Sequence, residues 1–238
     1  MSRKKGEKKE NPNRFKFEFI LNKTAVDHHL TRPSKVGPTI ELLYQHNPKT
    51  IQEWAEVFYK NSVQKKKDGS GIKVDENYLN SVGDELFRLL NEKIFPLILL
   101  AKDELTIEDC RNFIKDVVIR RSFEGFIAEK DIVNQVEIAL DGDIEFTKDA
   151  ELEPINVDAY GKSKKYGKTI GLSVKPQSYK KQDGFGKDES LKKSWEKWER
   201  ENNSKIFIVY YSEKKDGQKK IIKEKDELIN QILLFLTN

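Results

Sequence analysis

The texture of the sequence changes at Gly142, and the change narrows the folds open to the chain. Before Gly142, apolar residues recur at helical spacing; after it come short β-type runs separated by turn formers. Ile51, Trp54, Val57 and Phe58 predict a helix with Thr50 as N-cap and Glu53 three residues on, the capping-box arrangement. Leu79, Val82, Leu86, Leu89 and Leu90 predict another from Glu76 to about Ile94. Thr106 with Asp109 reads as a capped start leading to Phe113, Val117 and Val118, and Ser122 as the cap of a helix to about Leu140. Strands are expected at Ile144 to Thr147, Pro154 to Tyr160, Thr169 to Pro176, Ile206 to Tyr211 and Lys219 to Ile222. Helices are expected through Leu191, Trp195 and Trp198 and over Leu228 to Leu236. Phe15, Phe17 and Phe19 alternate with charged residues as a strand start would. Thr31 to Pro38, with two prolines and a glycine, reads as loop, and Gln64 to Gly71 as an exposed turn. Helices followed by a mixed sheet with further helices give an α/β (α+β) fold: a central mixed β-sheet flanked by helices, plus an N-terminal helical region.

Composition excludes several functions. The longest apolar run, Ile94 to Ala101, is far short of a membrane span and is interrupted by Pro96, and the N-terminus is charged where a secretory signal would be apolar. Cys110 is the single cysteine, which removes internal disulfides and cysteine zinc clusters; a cytoplasmic protein is the expectation. The net charge of +4 is carried by residues 1–14, with six basic residues against two acidic, and residues 1–13 read as a disordered basic tail. Elsewhere charge balances but is segregated. Glu137 to Asp158 holds eight acidic residues and one lysine, and Gly161 to Arg200 twelve basic and five acidic. Adjacent blocks of opposite sign suit a cation site beside a polyanion track, or two solvated surfaces.

Three polar residues sit where periodicity places them near the sheet. Glu129 falls on the helical stripe of Phe126, Val133, Val136 and Leu140, where a carboxylate is costly unless it binds a cation or accepts hydrogen bonds. Glu124 lies nearer the polar side. Asp158 alternates with Ile155, Val157 and Ala159, so it projects to the other face of its predicted strand. Ser173 and Lys175 share one face of Thr169 to Pro176, with Leu172 and Val174 on the other. If the two strands pair through the turn between Gly161 and Gly167, Asp158, Ser173 and Lys175 converge, with Glu129 above them. Asp158, Glu129 and the Val174 carbonyl are hard oxygen ligands suited to magnesium, and Lys175 is placed to orient water or stabilise a phosphorane-like transition state. The structural alternative is an ordinary cross-strand ion pair with a hydrogen-bonded boundary glutamate.

The order of a helix with Gly125-x-x-x-Glu129, a strand with Asp158, a hairpin and a strand with Ser173-Val174-Lys175 resembles the core of the PD-(D/E)xK nucleases. Arg32-Pro-Ser-Lys-Val-Gly-Pro38 with Trp54, and Gly171-Leu-Ser-Val-Lys-Pro-Gln-Ser-Tyr179, resemble type II restriction endonucleases of the MjaI kind. The resemblance spans roughly Arg32 to Tyr211. It implies a restriction-endonuclease-like core and Mg2+-dependent double-strand cleavage of DNA at a short palindrome, CTAG being the target associated with that group. It also implies a cognate DNA methyltransferase. Asp158 matches the motif's first acid, Lys175 its lysine and Glu129 the helix acid. Ser173 departs from the pattern, which has Asp or Glu two positions before the lysine, and Glu129 is the candidate substitute.

On this reading residues 14–106 form a mainly helical recognition or dimerisation region and residues 107–238 the nuclease core, in a C2 dimer matched to a symmetric target. Gln177, Ser178, Tyr179, Lys180, Lys181 and Lys187 follow the catalytic strand and are candidate DNA contacts, as are Arg32 and Lys35. A repair or mobile-element nuclease of the same fold, or a non-catalytic nucleic-acid-binding module, are the alternatives. Asp27-His28-His29 finds no partner set for a metal, Gly161-Lys162-Ser163 lacks the upstream glycine of a phosphate loop, and Asp141-Gly-Asp143 lacks the later positions of a calcium loop. Trp195 and Trp198, at helical spacing with Leu191, read as core.

Overall fold

The computed structural model describes residues 17–66, 69–94, 104–148, 152, 155–181, 189–213 and 220–238. The basic tail expected at 1–13 lies outside them. The chain forms two compact units that divide between Glu124 and Gly125.

The first unit is mainly helical: α1 (Glu18–Asp27), α2 (Pro33–Val36), α3 (Thr39–His46), α4 (Ile51–Asn61), a ribbon of β1 (Val63–Lys65) and β2 (Gly71–Lys73), then α5 (Glu76–Leu89) and α6 (Ile107–Lys115). Of the expected strand start, Phe15 lies outside the described residues, and Phe17 and Phe19 do not form a strand; α1 begins at Glu18 and buries Leu21 and Ala25, four apart on one helical face, leaving Phe19 exposed. The Asp27-His28-His29 triplet ends that helix, with His28 as C-cap and His29 at φ 59°. The Thr50 hydroxyl accepts the Glu53 N–H at 3.1 Å, and Thr106 and Asp109 complete a reciprocal capping box. Gly83 lets α5 and α6 approach closely, since a Cβ there would lie 2.5 Å from the Arg111 Cα. Beside this crossing Arg111 grips Asp84 with Nε to Oδ1 at 2.6 Å and Nη2 to Oδ2 at 3.0 Å. Cys110 is fully buried on α6, and burial, assisted by Asp109 and Asp84, pushes its thiol up to about 12.

Ser122 does not cap a new helix. Wide π-helical turns over Asp116–Arg121 join α6 to α7 (Ser122–Ala139), and the Ser122 hydroxyl donates to the Val117 carbonyl inside that continuous backbone. A similar turn, Leu90–Ile94, ends α5. At the first of these turns Asp116 is buried and accepts from both Arg120 and Arg121; Arg120 also reaches Glu124, and Arg121 reaches Glu18.

The second unit holds the sheet: β3 (Ala159–Lys162), β4 (Thr169–Pro176), a short α8 (Ser178–Lys181), α9 (Glu189–Asn202), β5 (Ser204–Glu213), β6 (Lys220–Ile222) and α10 (Lys225–Thr237). The spatial order is β3-β4-β5-β6, with β4 and β5 parallel and the outer pairs antiparallel, so the expected mixed α/β architecture is what forms. Ile170, Leu172 and Val174 of β4 bury one face against Ile132 and Val136 of α7 and Leu228, Ile232 and Leu236 of α10. On the other face Trp198 of α9 packs over Gly171, where a Cβ would sit 3.2 Å from the indole, and the Trp195 Nε1–H donates to the Ile155 carbonyl at 2.6 Å. Both tryptophans are half-buried, and none of α9 is fully buried.

Two predicted strands shrink. Ile144 to Thr147 contributes only isolated bridges, Ile144 to Ser163 and Thr147 to Tyr160. The strand read from Pro154 begins at Ala159, because Asn156 at φ 55° breaks the extended backbone. Asp143 organises the connection between β3 and β4: it accepts the Ser163 hydroxyl at 2.5 Å and the Lys165 N–H at 2.8 Å. The residues that superficially suggest calcium and phosphate loops therefore meet each other in a hairpin.

Candidate active site

β5 pairs with β4 along its whole length, whereas β3 pairs only with Thr169 to Leu172, so the C-terminal half of β4, which carries the predicted cluster, meets Asp158 where β3 stops. The β3–β4 register pairs Ala159 with Leu172, which sets Asp158, one residue before β3, level with Ser173. The Asp158 N–H donates to the Leu172 carbonyl at 2.8 Å. Its carboxylate turns to β4, where Oδ2 accepts the Val174 N–H at 2.7 Å and the Lys175 ammonium at 3.1 Å. One oxygen thus ties down a strand amide and a lysine together. Oδ1 has no hydrogen-bond partner among the described residues. Side-chain exposures of 15% for Asp158 and 14% for Lys175 leave the pair mostly desolvated yet reachable from solvent, where electrostatic interactions are stronger than on an open surface.

Ser173 is fully buried, and its Oγ finds no hydrogen-bond partner among the described residues. A buried hydroxyl without a partner costs about 1–3 kcal/mol, and orphans of this kind demand an explanation. It stands in β4 between two residues bound to Asp158. Glu129 is half-buried on α7 and pairs loosely with Lys148 at 3.9 Å. Among the described residues no three His, Cys, Asp or Glu side chains gather as a ready-made metal cluster.

The donors fit magnesium in kind. That ion takes oxygen ligands, keeps several waters and is usually held by one or two carboxylates. The Asp158 Oδ1 and the unsatisfied Ser173 Oγ are hard oxygen donors within one strand pair.

The candidate DNA contacts divide. Gln177, Ser178 and Tyr179 follow β4 directly and are exposed, with the Gln177 N–H donating to the Tyr211 carbonyl at 2.8 Å. Lys180 and Lys181 belong to α8, and nothing is described of their side chains; Lys187 lies outside the described residues. In the first unit Arg32 is exposed as N-cap of α2, whereas Lys35 is engaged, its ammonium 2.7 Å from Glu85 and its carbonyl accepting the Tyr78 hydroxyl.

The chain matches the MjaI restriction endonuclease family over residues 18–229, most of its length. This chain is a member of the MjaI restriction endonuclease family. No curated protein and no solved structure matches it. Membership makes the protein a site-specific deoxyribonuclease, a hydrolase whose substrate is DNA, and its mixed α/β architecture is consistent with the restriction-endonuclease-like fold. Among the described residues no helix is long and apolar enough to cross a membrane. Sequence reading named Asp158, Ser173 and Lys175; it missed the Val174 amide as the group that fixes the acid, since a backbone donor leaves no trace in residue identity.

Proposed function

We propose that this MjaI-family endonuclease cuts both strands of a short palindrome, CTAG, by magnesium-assisted phosphodiester hydrolysis at a PD-(D/E)xK site built from Asp158, Ser173 and Lys175. The observation that carries the reading is the shared Asp158 oxygen, which binds the Val174 amide and the Lys175 ammonium and leaves the other oxygen available. Asp158, through Oδ1, and Ser173 would hold the cation, with the Val174 carbonyl and Glu129 as further candidate ligands. When bound, the cation supplies charge neutralisation at the scissile phosphate and acidifies a water.

The chain's own groups do the rest. Asp158 holds the Lys175 ammonium in one place, so its donors are oriented before the substrate arrives. Lys175 donates to a phosphate oxygen as charge accumulates there, or to the attacking water. A water oxygen forms the new P–O bond and gives up a proton to solvent, the ester P–O bond to the leaving sugar breaks, and the leaving oxygen takes up a proton from solvent water. Arg32, Lys35, Gln177, Ser178, Tyr179, Lys180, Lys181 and Lys187 are the proposed contacts to DNA. A symmetric target suits a homodimer in which each subunit reads one half-site, with residues 14–106 serving recognition or dimerisation and 107–238 the chemistry. A cognate methyltransferase, in the same cytoplasmic compartment, would protect the host's own sites.

The test is incubation with a long DNA of known sequence, with magnesium and separately with EDTA, followed by sequencing of the fragment ends. Magnesium-dependent ends sharing CTAG are expected. Ends without a common sequence would overturn the palindrome, and cutting in EDTA would overturn the metal.

A further inference from the structure

The ribbon of β1 and β2 belongs to neither the candidate active site nor the contacts read from the sequence, and its two faces differ. Its register pairs Val63 with Lys73, Gln64 with Ile72 and Lys65 with Gly71. Side chains alternate across a ribbon, so Gln64 and Ile72 share one face and Val63, Lys65, Gly71 and Lys73 the other. The first face is fastened: Gln64 accepts the Tyr78 hydroxyl at 2.7 Å and donates to the Ser34 carbonyl at 3.0 Å, while Ile72 is half-buried. The Val74 N–H closes the base on the Ser62 carbonyl at 3.0 Å. All four residues of the second face are exposed.

The segment that carries the ribbon is cationic, and Lys65 and Lys73 stand on its outer face. Residues 60–73 contain five lysines and one acid. Lys65 and Lys66 are exposed, and among the described residues no carboxylate pairs with either. Lys73 is already engaged, donating to the Lys60 carbonyl. Gly71, opposite Lys65, has no side chain to cover the lysine stem, and Lys65 also borders a cleft of about 480 Å³ with Pro33, Pro38 and Val63. A ribbon of three residue pairs is too small to be stable alone in water, so its fastening holds an otherwise marginal element in place.

We propose that the outer face and open end of the β1–β2 ribbon form a phosphate-gripping surface that lies along the backbone of duplex DNA, with Lys65 on that face and Lys66, just past β1, each neutralising a phosphate. Two-stranded ribbons fit against duplex grooves, and adjacent exposed lysines with no acidic partner among the described residues complement a polyanion. Such contacts set affinity and register, not sequence preference. The inference rests on DNA being the substrate of this family member.

The experiment is fluorescence anisotropy of the full chain with a labelled CTAG duplex and a scrambled duplex, in EDTA, across a salt series. Each lost phosphate contact lowers the slope of log Kobs against log[salt] by about 0.9. The Lys65→Ala/Lys66→Ala variant is expected to lower it by about 1.8 and to weaken both duplexes by the same factor. Lys65→Arg/Lys66→Arg should keep the slope, and Lys23→Ala/Lys49→Ala, which removes the same charge elsewhere in the first unit, should leave it unchanged. An unchanged slope in the Lys65/Lys66 alanine variant overturns the proposal while DNA binding stands. An equal drop in the Lys23/Lys49 variant overturns it in favour of net charge. Absence of wild-type binding to either duplex overturns both the proposal and the reading beneath it.

Discussion

At the scale of single residues, Asp158 has two duties that different substitutions separate. Alanine removes the charge and also orphans the Val174 N–H, which costs about 1–3 kcal/mol; asparagine keeps an acceptor for that N–H. Asp158→Asn is therefore expected to abolish cleavage with little change in thermal midpoint, and Asp158→Ala to lose both; a cleaving Asn variant would remove the carboxylate charge from the mechanism. Lys175→Ala should slow single-turnover cleavage about 10²- to 10³-fold, the usual effect of removing one preorganised donor. Ser173→Ala deletes a buried hydroxyl with no partner among the described residues, so the midpoint should hold or rise while the magnesium concentration needed for cleavage increases. An unchanged magnesium requirement would leave Ser173 out of the cation site. Asp116 gives a pH signature. Burial alone would raise its carboxyl, but hydrogen bonds from Arg120 and Arg121 outweigh burial and hold it below the ordinary value of 3.8. A depressed folded-state value means the folded protein releases this proton more readily than the unfolded chain. The resulting stability is therefore present above the ordinary value and is lost as pH falls through the lowered one. Urea unfolding between neutral pH and pH about 2 should show a shallower acid loss in Asp116→Asn than in the wild type.

At the scale of elements, the close crossing of α5 and α6 makes the sharpest stability prediction. In Gly83→Ala the new methyl would meet the Arg111 backbone, which cannot swing away as a side-chain tip would. Overpacking of this kind costs about 1–3 kcal/mol, readable as a lower urea midpoint with unchanged slope. Such crossings were invisible in the sequence, whereas the element types mostly were not. Thr50 with Glu53 and Thr106 with Asp109 marked helix starts because caps are local chemistry, and Thr169 to Pro176 emerged with its predicted bounds because a buried central strand is apolar on one face. Gln64 to Gly71 reads as a turn because the two strands of the ribbon, three residues each, are too short to show a period. Ser122 misled because a π-turn carries the helix past it, and Asn156 cut a strand that alternation alone would have extended. At the candidate site, Asp158, Ser173 and Lys175 were legible from strand alternation; the fixed orientation of Asp158 was not, because it depends on the Val174 amide.

At the scale of the whole molecule, a twofold target calls for a twofold reader, and the proposed dimer predicts a two-chain mass by light scattering on a CTAG duplex. A single chain bound there at saturation would overturn the symmetric arrangement. The protein also carries one thiol, and Cys110 keeps it inside α6, protonated far above neutral pH. Thiolate is the reactive form, so the native protein is expected to stay silent towards maleimides and disulfide exchange at pH 7. The wild-type chain is consequently a blank background for site-directed labelling. A cysteine introduced at Lys66 or Tyr179 would be the sole target of a dye or spin label, and distances between labels across two bound copies would report the assembly without first rebuilding the chain.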